Sequence, residues 1–206
     1  MLFKNMFEIK NMEVKNFPPV KHTDKKVHEI IKFYYELNRL KQLYRKGWLR
    51  NVPKEKCESV AEHSFGVAVL SYFLAEKYFP KLDKLKILKM ALIHDFCEIY
   101  AGDITPSEKI DKEEKAKLEE EAIVKVFSKM SDGNDYINLW KEFQEESSEE
   151  AKFVKQVDCL EMVLQASVYE NQGYKNLQEF FDKGSKRIKN PLLRNFLKEI
   201  DKIRRT

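Results

Sequence analysis

Apolar residues recur at helical spacing along most of this chain after residue 24. Over residues 25–43, apolar side chains fall at every third or fourth position, which places them on one face of an α-helix. Similar spacing and breaker residues predict further helices over residues 59–78, 83–101, 109–129, 136–145, 147–169, 175–183 and 191–204. Only six Gly and six Pro are available for turns, so a many-stranded sheet is not expected. The sequence therefore predicts an all-α fold.

The first 24 residues lack this periodicity and contain Pro18-Pro19. We interpret them as an N-terminal arm that precedes the helical body. Residues 25–206 contain no internal repeat and no long polar linker, and 206 residues suit one sizeable domain. We therefore expect a single helical bundle over residues 25–206.

Composition narrows the classes of function. The net charge is +4, from 38 basic and 34 acidic residues, and so small an excess gives no reason to expect a nucleic-acid partner. No run of about 18 apolar residues is present, so no membrane span is expected. Three cysteines without a CxxC motif indicate a reducing compartment, and we expect a cytoplasmic protein.

Residues 90–106 combine an apolar helix with a cluster of ionisable side chains. His94 and Asp95 are adjacent, Glu98 follows within one helical turn, and Asp103 lies in the turn after Gly102. An imidazole and three carboxylates rooted in an apolar helix are costly to bury unless they pair or bind a cation. The stretch is therefore a candidate metal site that needs ligands from elsewhere in the chain.

Two other helices can supply those ligands. Ser59 and Glu62 form a capping box that starts a helix and places His63 in its first turns. Asp158 interrupts the otherwise apolar stripe of a later helix. Either residue taken alone is more typical of a buried group with a structural hydrogen bond. Taken together with His94 and Asp95, they form a mixed set of imidazoles and carboxylates that suits Mn, Co, Fe, Ni or Zn in the core of a helical bundle.

The ordered set His63, His94-Asp95 and Asp158 resembles the H…HD…D signature of the HD-domain metal-dependent phosphohydrolases. Flanking residues extend the likeness to the subgroup of HD domain-containing protein 2 and the YfbR-type 5'-deoxynucleotidases, over about residues 27–200. The residues that carry it are Leu40-Lys41, Arg45-Lys-Gly-Trp48, Arg50-Asn-Val52, Ser59-Val-Ala-Glu-His63, Leu92-Ile-His-Asp95, Glu98, Gly102-Asp-Ile-Thr-Pro106 and Ala151-Lys-Phe-Val-Lys-Gln-Val-Asp158. The resemblance implies an all-α HD domain with a metal site between helices, deoxyribonucleoside 5'-monophosphates as substrates, and a homodimer.

The resemblance also implies roles for individual residues. One or two divalent cations are expected, with Mn, Co, Zn, Ni, Fe and Mg as candidates. The primary ligands are His63, His94, Asp95 and Asp158. Glu98 is the catalytic carboxylate or a ligand of a second metal, and Asp103, with the Ile104 carbonyl, lies near the sugar or joins that second metal. Contacts to substrate are implied for Arg45, Trp48, His63 and Asp103, and Arg45 and Asp103 count with Glu98 as the expected catalytic residues.

Arg45 and Trp48 are the expected contacts to phosphate and base. An arginine near the metal is chemically reasonable, because its planar fork binds a phosphate dianion through two hydrogen bonds. In the bacterial branch a Trp follows the arginine directly, whereas here Lys46 does so and Trp48 comes three positions after Arg45. Trp48 is therefore either a base-stacking residue or a core or interface aromatic.

Two other functions remain open from the sequence. The same chemistry could act on another nucleotide or phosphate ester. Alternatively, the chain is a non-catalytic helical scaffold that binds a metal or a nucleotide. The presence of Glu98 and Asp103 beside the complete ligand set favours an enzyme.

Overall fold

The computed structural model describes residues 27–105 and 108–204. These residues form helices and turns without any β-strand, and the one isolated antiparallel bridge among them joins Tyr44 and Ser59. The prediction of an all-α fold is confirmed. No helix in this part of the chain is both long enough and apolar enough to cross a membrane. The predicted arm, residues 1–24, lies outside the described residues.

The α-helices are numbered in chain order. They are α1 Glu29–Leu37, α2 Val60–Tyr78, α3 Lys84–Ile93, α4 Glu98–Ala101, α5 Lys112–Phe127, α6 Gly133–Glu145, α7 Glu149–Asn171, α8 Gln178–Arg187 and α9 Pro191–Arg204. Short 3₁₀ helices occupy Lys46–Trp48 and Lys54–Lys56.

Contacts divide the chain into two compact units. The first takes in the described residues up to Leu49, together with Lys54–Glu62 and Asp95–Asn138. The second contains Arg50–Pro53, His63–His94 and the described residues from Leu139 onward. The boundary between Glu62 and His63 falls inside α2, and that between His94 and Asp95 falls within the predicted metal site. The expectation of a single domain stays a prediction.

The core of the second unit is built around α7, which packs against α3, α8 and α9. Ser148 starts this helix, because its Oγ accepts a hydrogen bond from the amide of Ala151 at 3.1 Å. Most inward positions of α7 are apolar and fully buried, among them Val154 and Val157. This packing gives the side chains of α7 a rigid base.

The first unit has an aromatic core next to Asp95. Phe96 lies 6.0 Å from Phe33 and 5.9 Å from Phe127 between ring centroids, and Tyr136 stacks on Phe127 at 5.1 Å. Packed rings at these separations attract one another and hold their backbones in place. Phe96 therefore anchors the chain directly after Asp95.

Helix α1 ends earlier than its pattern predicts, at Leu37 instead of about residue 43. The chain then turns, so that the carbonyls of Leu40 and Leu43 accept hydrogen bonds from the amides of Ala61 and Val60. The first amides of a helix lack partners within the helix, and these two carbonyls supply them for α2. The predicted capping box completes this helix start: the Ser59 amide donates to a Glu62 carboxylate oxygen at 2.6 Å, and the Glu62 amide donates to Ser59 Oγ at 3.2 Å.

The prediction of one helix from residue 83 to 101 is wrong. Helix α3 ends at Ile93, and α4 begins at Glu98 after a series of turns. The His94 carbonyl accepts a hydrogen bond from Trp140 Nε1 at 3.0 Å, while the Glu98 amide donates to the Asp95 carbonyl. Because these bonds replace the α-helical bond between His94 and Glu98, the helix cannot continue through the HD pair.

Candidate functional site

Three predicted ligands converge in the second unit. Ligand atoms of His63, His94 and Asp158 all lie within 4.8 Å of one another. His63 is completely buried and His94 is 1% exposed, whereas the Asp158 side chain keeps 28% of its surface open to solvent. The group is therefore a buried pair of imidazoles with a carboxylate at its solvent side.

Hydrogen bonds determine which nitrogen of each imidazole is available to bind a cation. His63 Nδ1 lies 2.6 Å from Glu161 Oε2, and His94 Nδ1 lies 2.7 Å from the Ala91 carbonyl oxygen. A carboxylate and a carbonyl only accept hydrogen bonds, so each Nδ1 carries the proton. In a neutral ring the Nε2 atom then holds a lone pair that is available to a cation.

The arrangement requires positive charge between His63 and Asp158. His63 Nε2 lies 3.1 Å from Asp158 Oδ1, so a neutral ring sets two hydrogen-bond acceptors against each other. Either a second proton on the ring or a bound cation resolves this repulsion. Two imidazole nitrogens and a carboxylate form a donor set that suits Mn, Fe, Co, Ni or Zn. These three residues therefore fit a divalent metal ion.

In the first unit, one guanidinium group lies among several carboxylates. Arg45 Nη1 lies 3.4 Å from Asp95 Oδ2, and Arg45 Nε lies 4.0 Å from Glu58 Oε1. Burial lowers the pKa of Arg45, but the surrounding carboxylates raise it by more, so the net shift is upward and the group stays charged. In order of effect, those carboxylates belong to Asp95, Asp103, Glu98 and Glu58.

Glu98 is a buried acid of this cluster whose pKa is shifted upward. Its side chain is buried, and Oε2 has no hydrogen-bond partner within residues 27–105 and 108–204. Burial raises the pKa of Glu98 well above its usual range, and the charges of Asp95 and Asp103 raise it further, while Arg45 opposes the shift. A carboxyl group with a raised pKa is suited to holding and transferring a proton.

Asp103 and Ile104 follow a sharp turn at Gly102, whose φ of +76° lies in the left-handed region that favours glycine. Asp103 Oδ2 accepts a hydrogen bond from the main-chain amide of Lys46 at 2.6 Å. The Ile104 carbonyl accepts one from Lys115 Nζ at 3.1 Å. The main chain next to Arg45 thus holds Asp103, and an ammonium group contacts the carbonyl that was predicted as a possible second-metal ligand.

Trp48 lies in the core of the first unit. Its side chain is 1% exposed, and Nε1 donates a hydrogen bond to Glu58 Oε1 at 2.8 Å. Since neither face of the ring is open, this placement favours the core aromatic of the two interpretations. The same carboxylate lies beside Arg45, so Glu58 links the two predicted substrate contacts.

The structure thus brings the predicted residues together in two groups. His63, His94 and Asp158 meet in the second unit, whereas the first unit gathers Arg45, Asp95, Glu98 and Asp103. Asp95, the fourth predicted ligand, contacts Arg45 and is joined to His94 by a peptide bond.

Sequence reasoning missed two carboxylates, Glu161 and Glu58. Glu161 lies on the face of α7 that carries Asp158. A second acid on this face, next to the buried Leu160 and Met162, was the signal that could have revealed it. Glu58 precedes the capping Ser59 in a polar segment, and nothing in its surroundings in the sequence distinguishes it.

Comparisons with known proteins agree on one family. A family model described as HD domain matches residues 37–201. The mouse protein named 5'-deoxynucleotidase HDDC2 is 37% identical over 177 residues, which cover 84% of this chain and 86% of that protein. The human protein of the same name is 36% identical, with 86% and 87% covered. The crystal structure of the PH0347 protein from Pyrococcus horikoshii matches with a TM-score of 0.70 at 36% identity, covering 84% of this chain and 99% of that one.

Removal of the Asp158 carboxylate is expected to weaken metal binding. With Mn²⁺ or Co²⁺ at about 100 times its dissociation constant, the metal-free protein should gain about 2.7 kcal/mol of stability, which thermal denaturation shows as a raised Tm. Asp158→Asn should lose most of this rise, because it removes an anionic ligand. Asp201→Asn makes the same chemical change at a residue of α9 and should keep the full rise. An undiminished rise in Asp158→Asn would contradict the assignment.

Proposed function

The chain belongs to the HD domain family, and from that premise we propose that it is a divalent-metal-dependent 5'-deoxynucleotidase. It hydrolyses deoxyribonucleoside 5'-monophosphates to the deoxyribonucleoside and phosphate. The observation that carries this proposal is the match to proteins named 5'-deoxynucleotidase, at 36–37% identity and over at least 84% of both chains in mouse and human. The two groups of site residues supply the chemistry that such a reaction needs.

We assign His63, His94, Asp95 and Asp158 as the ligands of the cation, with Mn or Co as the first metals to test. Three of them form the convergent group of the second unit, and Asp95 directly follows His94 in the chain. When bound, a metal of this class acts as a Lewis acid and lowers the pKa of a water molecule from about 15.7 toward about 7.

Arg45 binds the phosphate group of the substrate. It is permanently charged, and its side chain, 18% exposed, lies among carboxylates, so its position is constrained before the substrate arrives. The planar fork can donate two parallel hydrogen bonds to phosphate oxygens, and these orient the phosphorus atom for in-line attack. Negative charge that develops on the phosphoryl oxygens is stabilised by the same group.

Glu98 transfers protons, and Asp103 lies at the sugar. In the reaction a bond forms between a water oxygen and phosphorus, and the bond between phosphorus and the 5'-oxygen breaks. The attacking water must lose a proton and the leaving 5'-oxygen must gain one, and a carboxyl group with a raised pKa can serve either transfer. Asp103 is held by the Lys46 amide, where it can contact the deoxyribose or help to bind a second cation together with the Ile104 carbonyl.

A panel of nucleotides tests the substrate assignment. The purified protein with Mn²⁺ or Co²⁺ should release phosphate faster from deoxyribonucleoside 5'-monophosphates than from the corresponding ribonucleotides. Initial rates with both series at equal concentration give the ratio. Equal rates would remove the deoxy assignment, and faster release from a different phosphate ester would favour the alternative substrate class.

Glu98→Gln is expected to lower kcat by about 10²- to 10⁴-fold, because the side chain keeps its shape but loses its exchangeable carboxyl proton. Steady-state phosphate release measures the loss. Glu113→Gln makes the same change at an exposed position of α5 and should retain wild-type activity. Full activity of Glu98→Gln would exclude the proposed role, and nucleotide binding without turnover by the wild type and Glu98→Gln alike would favour the scaffold.

We also propose a homodimer that forms through α2. Four large apolar side chains lie exposed along one stripe of this helix: Phe65 at 68%, Val69 at 37%, Tyr72 at 39% and Phe73 at 65%. Their spacing of four, three and one residues keeps them on one face. Phe65 is two positions from His63, so the stripe points away from the ligand group. A contiguous apolar face of this kind is typical of a protein interface.

The double variant Phe65→Glu/Phe73→Glu tests the interface. Light scattering after size exclusion should give about twice the chain mass of 24.6 kDa for the wild type and the mass of one chain for the variant, because four carboxylates would meet across the interface. Val124→Glu places a charge on an exposed apolar residue of α5 and should leave the mass unchanged. A monomeric wild type, or a variant that remains dimeric, would contradict this interface.

Domain organisation and location complete the proposal. We propose a single HD domain over residues 25–206 with an arm at residues 1–24, and the continuous family match over residues 37–201 supports the domain. We also propose a cytoplasmic location, supported by the finding that all three cysteines are thiols and none forms a disulfide.

A further inference from the structure

We propose that Glu161 is a positioning residue of the metal site and that Gly66 provides the space it needs. Glu161 acts through His63: it holds the ring in the orientation and tautomer that direct Nε2 toward the cation. This inference rests on the proposed metal-dependent function.

The contact between Glu161 and His63 is short and buried. Glu161 Oε2 lies 2.6 Å from His63 Nδ1, with Glu161 7% exposed and His63 completely buried. A carboxylate this far from solvent is stable only when a strong partner compensates for its lost hydration. The ring N–H of His63 is such a partner, so rotation of either side chain would break a buried, charge-assisted hydrogen bond.

Helix α7 places two carboxylates on the same ring. Asp158 and Glu161 are three positions apart, which puts them on one face of the helix. Asp158 faces Nε2 at 3.1 Å, and Glu161 faces Nδ1. Glu161 therefore does not compete for the ligand nitrogen. Its hydrogen bond with Nδ1 fixes the tautomer that leaves the Nε2 lone pair for the cation, as outer carboxylates do for histidines that bind metals.

Gly66 is the reason that the Glu161 carboxylate fits against α2. It lies three positions after His63, inside the helix, where glycine is less stable than alanine by about 1 kcal/mol. A Cβ atom at this position would lie 2.6 Å from Glu161 Oε1. The carboxylate is the mobile end of a long side chain, so an added methyl group would displace it from His63 without breaking the helix.

Gly184 offers a matched comparison in the same unit. This residue of α8 also packs against α7, where an added Cβ atom would clash with Val163 Cγ2. Val163 is an apolar residue two positions from Glu161. Both glycines would therefore crowd α7 when changed to alanine, but only Gly66 would displace a group that contacts His63.

The test measures Co²⁺ affinity by competition with a chelator, together with the visible absorption spectrum of the Co²⁺-loaded protein. Glu161→Gln and Gly66→Ala should each weaken binding by about 10- to 100-fold and change the spectrum, because the His63 ring is no longer fixed by a charged acceptor. Gly184→Ala should lower the Tm but keep the wild-type affinity and spectrum. The double variant Gly66→Ala/Glu161→Gln should bind no more weakly than Glu161→Gln alone, since both changes act through one contact.

Two results would overturn the inference. One is wild-type Co²⁺ affinity and spectrum in Glu161→Gln, with or without a lowered Tm, which would leave Glu161 a structural residue only. The other is additive losses in the double variant, which would separate Gly66 from Glu161. The readouts need no nucleotide: a wild-type protein that binds Co²⁺ but hydrolyses no nucleotide overturns the proposed activity alone. A wild type that binds no Co²⁺ overturns both.

Discussion

The candidate metal site depends on the buried imidazole of His63, which faces carboxylates of one helix at both of its nitrogens. Each part is unfavourable alone. The ring is buried away from water, and the two acids of α7 are only three positions apart, so their like charges repel each other. A second proton on the ring or a bound cation removes the repulsion between His63 Nε2 and Asp158, and the ring and the two acids then stabilise one another. The apolar packing of α7 keeps the two acids in register, so the stability of the second unit and the geometry of the ligands have the same origin.

The first unit also holds more carboxylates than positive charges around its site. Four carboxylates influence the single charge of Arg45, and Glu98 among them is buried with one oxygen lacking a hydrogen bond in the described chain. Such clusters of mutually perturbed groups are typical of sites that bind and transform a charged substrate. The Phe96 aromatic cluster keeps the neighbouring backbone rigid, and Glu58 restrains both Trp48 and Arg45.

Local signals were visible in the sequence and long-range ones were not. The capping box at Ser59 and the helical class depend on neighbours within a few positions, and both were predictable. The end of helix α3 depends on Trp140, which reaches the His94 carbonyl from 46 positions away. Periodicity contains no information about such a bond. For the same reason the sequence indicated His63 but not Glu161, because the partner of a buried histidine is set by packing and not by spacing along the chain.

The hydrogen bond that holds Asp103 comes from the backbone of Lys46 and not from its side chain. Position 46 can therefore change its side chain without loss of this contact, with proline as the exception because it lacks an amide proton. A change of side chain at the position after Arg45 would cost the ion pair between Lys46 and Glu108 and yet keep Asp103 in place.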